Sequence, residues 1–272
     1  MQKTIKNKVR YRGIGLHSGE DAFLTLLPAP VYTGIKFKIK EKGTVKACVL
    51  NVIKSDREVV LRENGIEVRT VEHILAALSG CKIDNVYIEL EGPELPIGDG
   101  SSKTYVDLIK DAEIIEQEAK KEAIKIDSPL WIEENDRQII VLPADEFKIT
   151  YLIEHNDSVI GLQYAFFSIN EEMFVKEIAP ARTFGFLSEV EDLRKKGLIK
   201  GGSLENAVVI GKDRILNDNL RFENELVRHK ILDLIGDISL VGCSIVGHFI
   251  ALKSGHDLNI KLAKKIVEKY KI

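Results

Sequence analysis

With 272 residues, 44% of them hydrophobic and 30% charged, the chain has the composition of an ordinary globular protein, long enough for one large domain or two of roughly 135 residues. Its net charge of −3 at pH 7 gives no global pull toward nucleic acid or anionic lipid, and no run of about eighteen apolar residues is present to span a bilayer. Cys48, Cys81 and Cys243 are widely spaced and form no C-x-x-C pattern, which argues against a disulfide framework or a thiolate metal cage and for reduced thiols in the cytoplasm.

The basic start, Met1 to Arg10, is followed by no apolar stretch of a secretory signal. Residues 4 to 60 read mostly as strands and turns. Ala22 to Leu27 is an apolar run closed by Pro28-Ala29-Pro30, and Ile35, Phe37 and Ile39 alternate with Lys36 and Lys38 as in a half-buried strand. Between the first strands, Gly13-Ile-Gly15-Leu-His17-Ser-Gly19 suits tight turns or close backbone packing. No helical pattern follows it and no G-x-x-x-x-G-K-[ST] is present, so it is not a phosphate loop. Thr70 suits the N-cap of a helix whose Val71, Ile74, Leu75 and Leu78 form an apolar stripe ending at Gly80. Asn85 to Leu90 reads as a strand, Gly98 to Ser102 as a turn, and Lys103 to Lys110 as the start of a second helix. The charge-rich stretch from Asp111 to Glu122 marks a boundary between a first domain, 1–115, and a second, 116–272.

After the boundary the order repeats. Strands are expected at Ile124 to Ile126, Trp131 to Glu133, Gln138 to Leu142 and Phe147 to Ile153, punctuated by Pro129 and Pro143. Glu189 to Lys196 reads as a charged helix ending at Gly197, and Ala207 to Ile210 as a short buried strand. Arg228 to Asp237 is helical, with Ile231, Leu234, Ile235 and Ile238 on one side and His229, Lys230, Asp233 and Asp237 on the other. A strand at His248 to Leu252 and an amphipathic helix from Leu258 to Lys269 complete the chain. Two similar α+β halves, each with a histidine near a helix start, suggest a duplicated architecture with a site between them.

His229 and Asp233 stand one helical turn apart and can converge on one point, which is half of a transition-metal site. Alone, that spacing more often belongs to a solvated helix face, and it needs partners elsewhere to become a site. His73 lies opposite the apolar stripe of its own helix, and Glu72 beside it sits in the first turn, where the helix dipole favours the charged carboxylate. A glutamate next to a ligating histidine can take a proton from water activated at the metal. His73, His229 and Asp233 together make a three-ligand set with one position left open, the catalytic pattern for zinc. His256, on a glycine-bearing loop, can act as a general acid held in its protonated form by Asp237. His17, His155 and His248 have no comparable partners in the sequence and read as structural.

Thr70-Val-Glu-His73, Ala181-Arg-Thr-Phe184, Gly201-Gly-Ser203, Arg221-Phe-Glu223, Val227-Arg-His-Lys-Ile-Leu-Asp233 with Gly236-Asp237, and Lys253-Ser-Gly-His-Asp-Leu-Asn259 follow one another in order. With the glycine-rich stretch at 13–19 and Leu95-Pro-Ile-Gly-Asp-Gly-Ser101, they make the chain resemble the UDP-3-O-acyl-N-acetylglucosamine deacetylase family of lipid A biosynthesis over essentially its full length. The resemblance implies an α+β fold of two similar α/β sandwiches with facing helix layers. It implies zinc, with iron as an alternative, on His73, His229 and Asp233. Glu72 would be the general base and His256, supported by Asp237, the general acid. Thr183 would help stabilise the oxyanion. Lys230 would add positive charge near the substrate, with Phe184 and Gly255 as further substrate contacts. The family also carries an insert in each half. The first is a small β element expected around Ser55 to Val60; the second is a β-α-β unit that shapes an apolar passage for the acyl chain, expected from Tyr164 to Phe167 and Met173 to Ile178. The sequence departs from the family pattern at Ser55 to Val60 and at Ile199-Lys200, which bears on acyl-chain fit more than on chemistry.

The expected activity is zinc-dependent hydrolysis of the N-acetyl group of an acylated UDP-sugar, by a cytoplasmic monomer with no nucleic-acid partner and no stable membrane insertion. Two rivals are a non-catalytic nucleotide-sugar or lipid binder on the same fold, and a zinc hydrolase of a different acylated amine.

Overall fold

The computed structural model describes residues 1–155 and 159–272. The first half runs β1 (Gln2–Ile5), β2 (Val9–Ile14), β3 (Asp21–Pro28), β4 (Ile35–Ile39), β5 (Gly43–Lys46), β6 (Val52–Lys54), β7 (Val60–Glu63), β8 (Ile66–Arg69), α1 (Glu72–Gly80), β9 (Val86–Glu91) and α2 (Lys103–Asp111). Its main sheet has the order β2-β3-β9-β4-β5, with β4 and β9 parallel and the other neighbours antiparallel. Alternation along the strands places Leu26, Ile88 and Phe37 in one register row, all fully buried. β6, β7 and β8 form a separate three-stranded antiparallel element, the small β insert of this half.

A connecting strand, β10 (Ile114–Gln117), leads into the second half, which runs β11 (Ala123–Lys125), β12 (Leu130–Glu134), β13 (Arg137–Leu142), β14 (Phe147–His155), β15 (Gly161–Ser168), α3 (Glu171–Met173), β16 (Phe184–Phe186), α4 (Leu187–Lys195), β17 (Val208–Ile210), α5 (Glu225–Ser239), β18 (Ser244–Leu252) and α6 (His256–Tyr270). Its main sheet, β12-β13-β18-β14-β15, repeats the first in both order and direction: only β14 and β18 among these neighbours are parallel. Val141, Phe249 and Ile149 form the matching buried row. In each half one helix precedes the central strand and one follows it, so α1 corresponds to α5 and α2 to α6. β10, in the charge-rich stretch, pairs antiparallel with β1, and β11 pairs parallel with β18.

The two helix layers face each other, and α1 crosses α5 at close range. A Cβ on Gly236 would collide with the carbonyl oxygen of Glu72, so glycine is what lets the two backbones approach here. This packing buries α1 on nearly every side, His73 and Glu72 included, because its polar face looks onto α5 and not onto solvent.

Two local expectations change. Thr70 does not cap α1. Its backbone is left-handed, with φ +59°, and its hydroxyl donates to Glu94, while Val71 occupies the cap position without a side-chain bond. The β-α-β unit of the second half is β16-α4-β17, whose strands pair in parallel through Phe184 and Val208. Tyr164 to Phe167 instead belong to the edge strand β15, and 173–178 to the helical turn that follows it. The first stretch is apolar and the second carries apolar positions around Lys176 and Glu177, and apolar content alone does not distinguish an edge strand or a helical turn from an inserted strand.

Candidate metal centre and catalytic cavity

At the crossing, the first turn of α1 offers His73, and two successive turns of α5 offer His229 and Asp233. His229 Nε2 lies 3.3 Å from Asp233 Oδ1 and His73 Nε2 3.9 Å from the same oxygen; the two rings stand edge to face at 5.1 Å. One donor atom from each residue falls within 4.8 Å of the others, and all three side chains are buried. His229 Nδ1 donates to the Ala181 carbonyl at 3.0 Å, which fixes the tautomer and leaves Nε2 with its lone pair free. Asp233 Oδ1 and His73 Nδ1 are buried without a hydrogen-bond partner. Two imidazoles and a carboxylate converging with an orphaned oxygen between them fit a divalent transition metal.

Protonation agrees with that donor set. Burial holds both candidate ligand histidines neutral, lowering His229 and taking His73 down to about 3. For Asp233 burial works the other way, but the positive charges of Lys230 and the protonated His256 outweigh it and keep the carboxylate ionised.

Glu72 is buried beside this group, and its Oε2 accepts the Val59 N–H at 3.1 Å. Burial pushes its carboxyl up to about 8, with Asp233 and Asp237 adding to the rise. The first-turn dipole was expected to favour the charged form, but desolvation is the larger effect at a fully enclosed site. His256 opens α6 and directs Nδ1 at Asp237 Oδ2, 2.8 Å away, with Nε2 3.9 Å from Asp233 Oδ2. Burial alone would lower its value, yet the attraction of Asp237 and Asp233 raises it to about 10. Asp237 is in turn held by Asn259 Nδ2 at 2.9 Å, and Asn259 by the Ser254 hydroxyl at 2.8 Å. Asn259 closes the motif that contains His256, but its spacing alone gave no sign of this second contact.

Lys230 lies on the cavity wall with its ammonium 2.8 Å from Asp233 Oδ2 and 5.4 Å from the centre of the Phe184 ring, so it serves the ligand carboxylate as well as the open space. Thr183 and Phe184 enter the site at the start of β16. Thr183 N–H donates to the Gly100 carbonyl at 2.7 Å, and just before it Arg182 locks onto Glu225 at the start of α5 through Nε at 2.8 Å and Nη2 at 3.0 Å. Nothing local in the sequence signals the Arg182–Glu225 pair, whose members are 43 residues apart.

These groups open into one cavity of about 910 Å³. Glu72, His73, His229, Asp233, Gly255 and His256 form its base, with Thr183, Phe184 and Lys230 beside them, while Asp237 stands behind His256. One wall is apolar and comes from the β-α-β unit, through Phe186, Leu187, Val190 and Leu193; Arg194 adds positive charge, whereas Arg57 and Arg137 are paired with Glu189 and Asp257, which line the same cavity. The arrangement suits an amphiphile with a long apolar chain and an anionic part. His17, read from the sequence as structural, also lines this cavity, and its Nδ1 accepts the Ile199 N–H at 3.3 Å. It groups with Glu58 and Glu94, but Arg69 and Lys54 already neutralise Glu58 at 2.9 and 2.7 Å, so this second group reads as an ion-pair network and not as a metal site.

Comparison with known proteins agrees over the whole length. Residues 2–268 match the family described as UDP-3-O-acyl N-acetylglycosamine deacetylase. The UDP-3-O-acyl-N-acetylglucosamine deacetylase of Marinobacter nauticus is 44% identical over 97% of this chain and 89% of its own length. The enzymes of the same name from Saccharophagus degradans and Syntrophotalea carbinolica are 45% and 42% identical, each over 98% of this chain and over 90% and 87% of their own. A full-length match of this kind, on a duplicated fold whose facing helices bring two histidines and an aspartate together, means that the chain belongs to the UDP-3-O-acyl N-acetylglycosamine deacetylase family.

Proposed function

We propose that this deacetylase, an enzyme of lipid A biosynthesis, hydrolyses the N-acetyl group of UDP-3-O-(3-hydroxyacyl)-N-acetylglucosamine with zinc held by His73, His229 and Asp233; iron is the alternative metal. The observation that carries this reading is the buried His73–His229–Asp233 group, with Glu72 on one side and His256 on the other. When bound, the metal supplies Lewis acidity, polarising the acyl carbonyl and easing deprotonation of water. Glu72, aimed by the Val59 N–H, takes the proton from the attacking water. Glu72 would lose its proton more readily with a divalent cation held by His73, His229 and Asp233 beside it. The Thr183 hydroxyl donates to the oxyanion as the carbonyl becomes tetrahedral. His256, kept protonated by Asp237, delivers a proton to the leaving nitrogen. The C–N bond breaks, and acetate and a free 2-amino sugar result.

The remaining residues bind. Phe184 and Gly255 border the sugar, Lys230 adds positive charge, and the apolar wall from β16 and α4 takes the acyl chain. The enzyme acts as a cytoplasmic monomer, with residues 1–115 and 116–272 as its two domains and neither nucleic acid nor stable membrane insertion involved; among the described residues no helix is long and apolar enough to cross a membrane. Acetate release from the acylated UDP-sugar, measured before chelation, after it, and after zinc is returned, tests the reading. Release that disappears with the metal and comes back with it is expected. No release from a protein that holds zinc would mean a different acylated amine, and no release without zinc binding would mean a non-catalytic binder.

A further inference from the structure

Thr70 is held in a backbone conformation that β-branched residues rarely adopt, two residues before Glu72. Its N–H donates to the Val59 carbonyl at 3.0 Å and its hydroxyl to Glu94 Oε1 at 2.7 Å. Glu58 Oε2 is farther, at 3.5 Å, and a hydroxyl has one proton to give, so Glu94 receives it.

Glu94, in the loop after β9, is fully buried. Its carboxylate also accepts the backbone N–H of His17, at 3.0 and 3.1 Å, and that of Ser18 at 2.8 Å. A Cβ on Gly15 would overlap this carboxylate, so the glycine-rich loop has the shape that admits it. One buried side chain therefore fastens the 15–19 loop and Thr70 together.

The consequence reaches the site through Val59. The residue that accepts from Thr70 N–H with its carbonyl directs its own N–H onto Glu72 Oε2 at 3.1 Å. Glu94 itself does not line the cavity, whereas Thr70 and Glu72 do.

We propose that Glu94 is a positioning residue for the proposed base: through the Thr70 hydroxyl it maintains the left-handed turn that keeps Val59 N–H on the Glu72 carboxylate. This rests on the reading of Glu72 as the general base. Its function is orientation, not charge transfer, so its removal lowers turnover without weakening substrate or metal binding.

The test compares Thr70→Val, which keeps the shape and removes the hydroxyl, with Thr70→Ser, which keeps the hydroxyl, and with Glu94→Gln, alone and combined with Thr70→Val. Thr70→Val and Glu94→Gln are each expected to lower kcat by roughly ten- to a hundredfold, the double variant by no more than the worse single one, and Thr70→Ser by less than about threefold. KM and metal content stay at the wild-type level. In a Glu72→Gln background, Thr70→Val removes none of the residual turnover. Wild-type kcat in Thr70→Val and Glu94→Gln overturns the proposal, as does a loss that tracks bound metal, or one that recurs in full in the Glu72→Gln background. If Glu72→Gln by itself retains wild-type kcat, the base assignment fails, and that outcome is read independently of Glu94. Should Glu94→Gln not fold, the Val and Ser variants of Thr70 still decide between the outcomes.

Discussion

Asp233 divides its two oxygens between different tasks, Oδ1 toward the imidazoles of His73 and His229 and Oδ2 toward the Lys230 ammonium. Its replacement by alanine is expected to abolish metal retention, a fall in affinity of at least roughly a hundredfold, and acetate release with it; metal content by elemental analysis checks this. Asp237→Asn separates a neighbouring role. It leaves the three proposed ligands in place and removes one of the three carboxylates, Asp237, Asp233 and Glu72, that raise His256, so the histidine loses its proton at lower pH than before. The expected outcome is normal metal content, a kcat lower by roughly a hundredfold, and an alkaline limb of the pH–rate profile displaced toward acid. A limb that stays in place would remove His256 as the general acid.

At the scale of elements, the site depends on how closely α1 and α5 approach and on what anchors the start of α5. Gly236→Ala places a methyl group against the Glu72 carbonyl. Overpacking at such a crossing costs about 1–3 kcal/mol, and here it pushes His73 away from His229 and Asp233, so lower stability and weaker metal binding are expected together, by thermal melting and metal titration. The anchor is Glu225, fully buried and bonded to Arg182 and to the Arg221 N–H. Burial alone would raise its carboxyl, but the Arg182 guanidinium and the two backbone donors hold it below its ordinary value of 4.5. A group with a depressed folded-state value contributes stability that is complete above its unfolded value and is lost as pH falls through the folded one. Glu225→Gln should therefore show a smaller loss of melting temperature than the wild type as pH drops below about 4.5, while being less stable at pH 7. Neither device could be read from the sequence. Gly236 looks like any helical glycine until the facing helix is in place, and Arg182 and Glu225 meet only through the fold.

For the whole molecule, the duplication was visible in the order of elements and in the matched helices around His73 and His229, because hydrophobic periodicity and turn residues act locally. The shared five-strand path of the two sheets, matched in order and direction with β11 added only in the second, was not, since strand order depends on pairing between distant segments. The same limit explains why Tyr164 to Phe167 and Met173 to Ile178 look suited to the β-α-β unit that in fact lies at 184–210. The proposed metal site sits where this duplication joins: His73 comes from the first half, His229 and Asp233 from the second. A metal bound there fastens the helix layers to each other and stabilises the folded chain by about 2.7 kcal/mol when free metal is a hundred times its Kd. With roughly 2–4 °C per kcal/mol for a chain of this size, chelation is expected to lower the melting temperature by about 5–10 °C, and zinc to restore it. Asp233→Ala should melt at one temperature with and without chelator. If the wild type proved equally indifferent while still losing activity on chelation, the metal would be bound too weakly or from too few ligands to join the halves, and the assignment of ligands to both helices would have to be withdrawn.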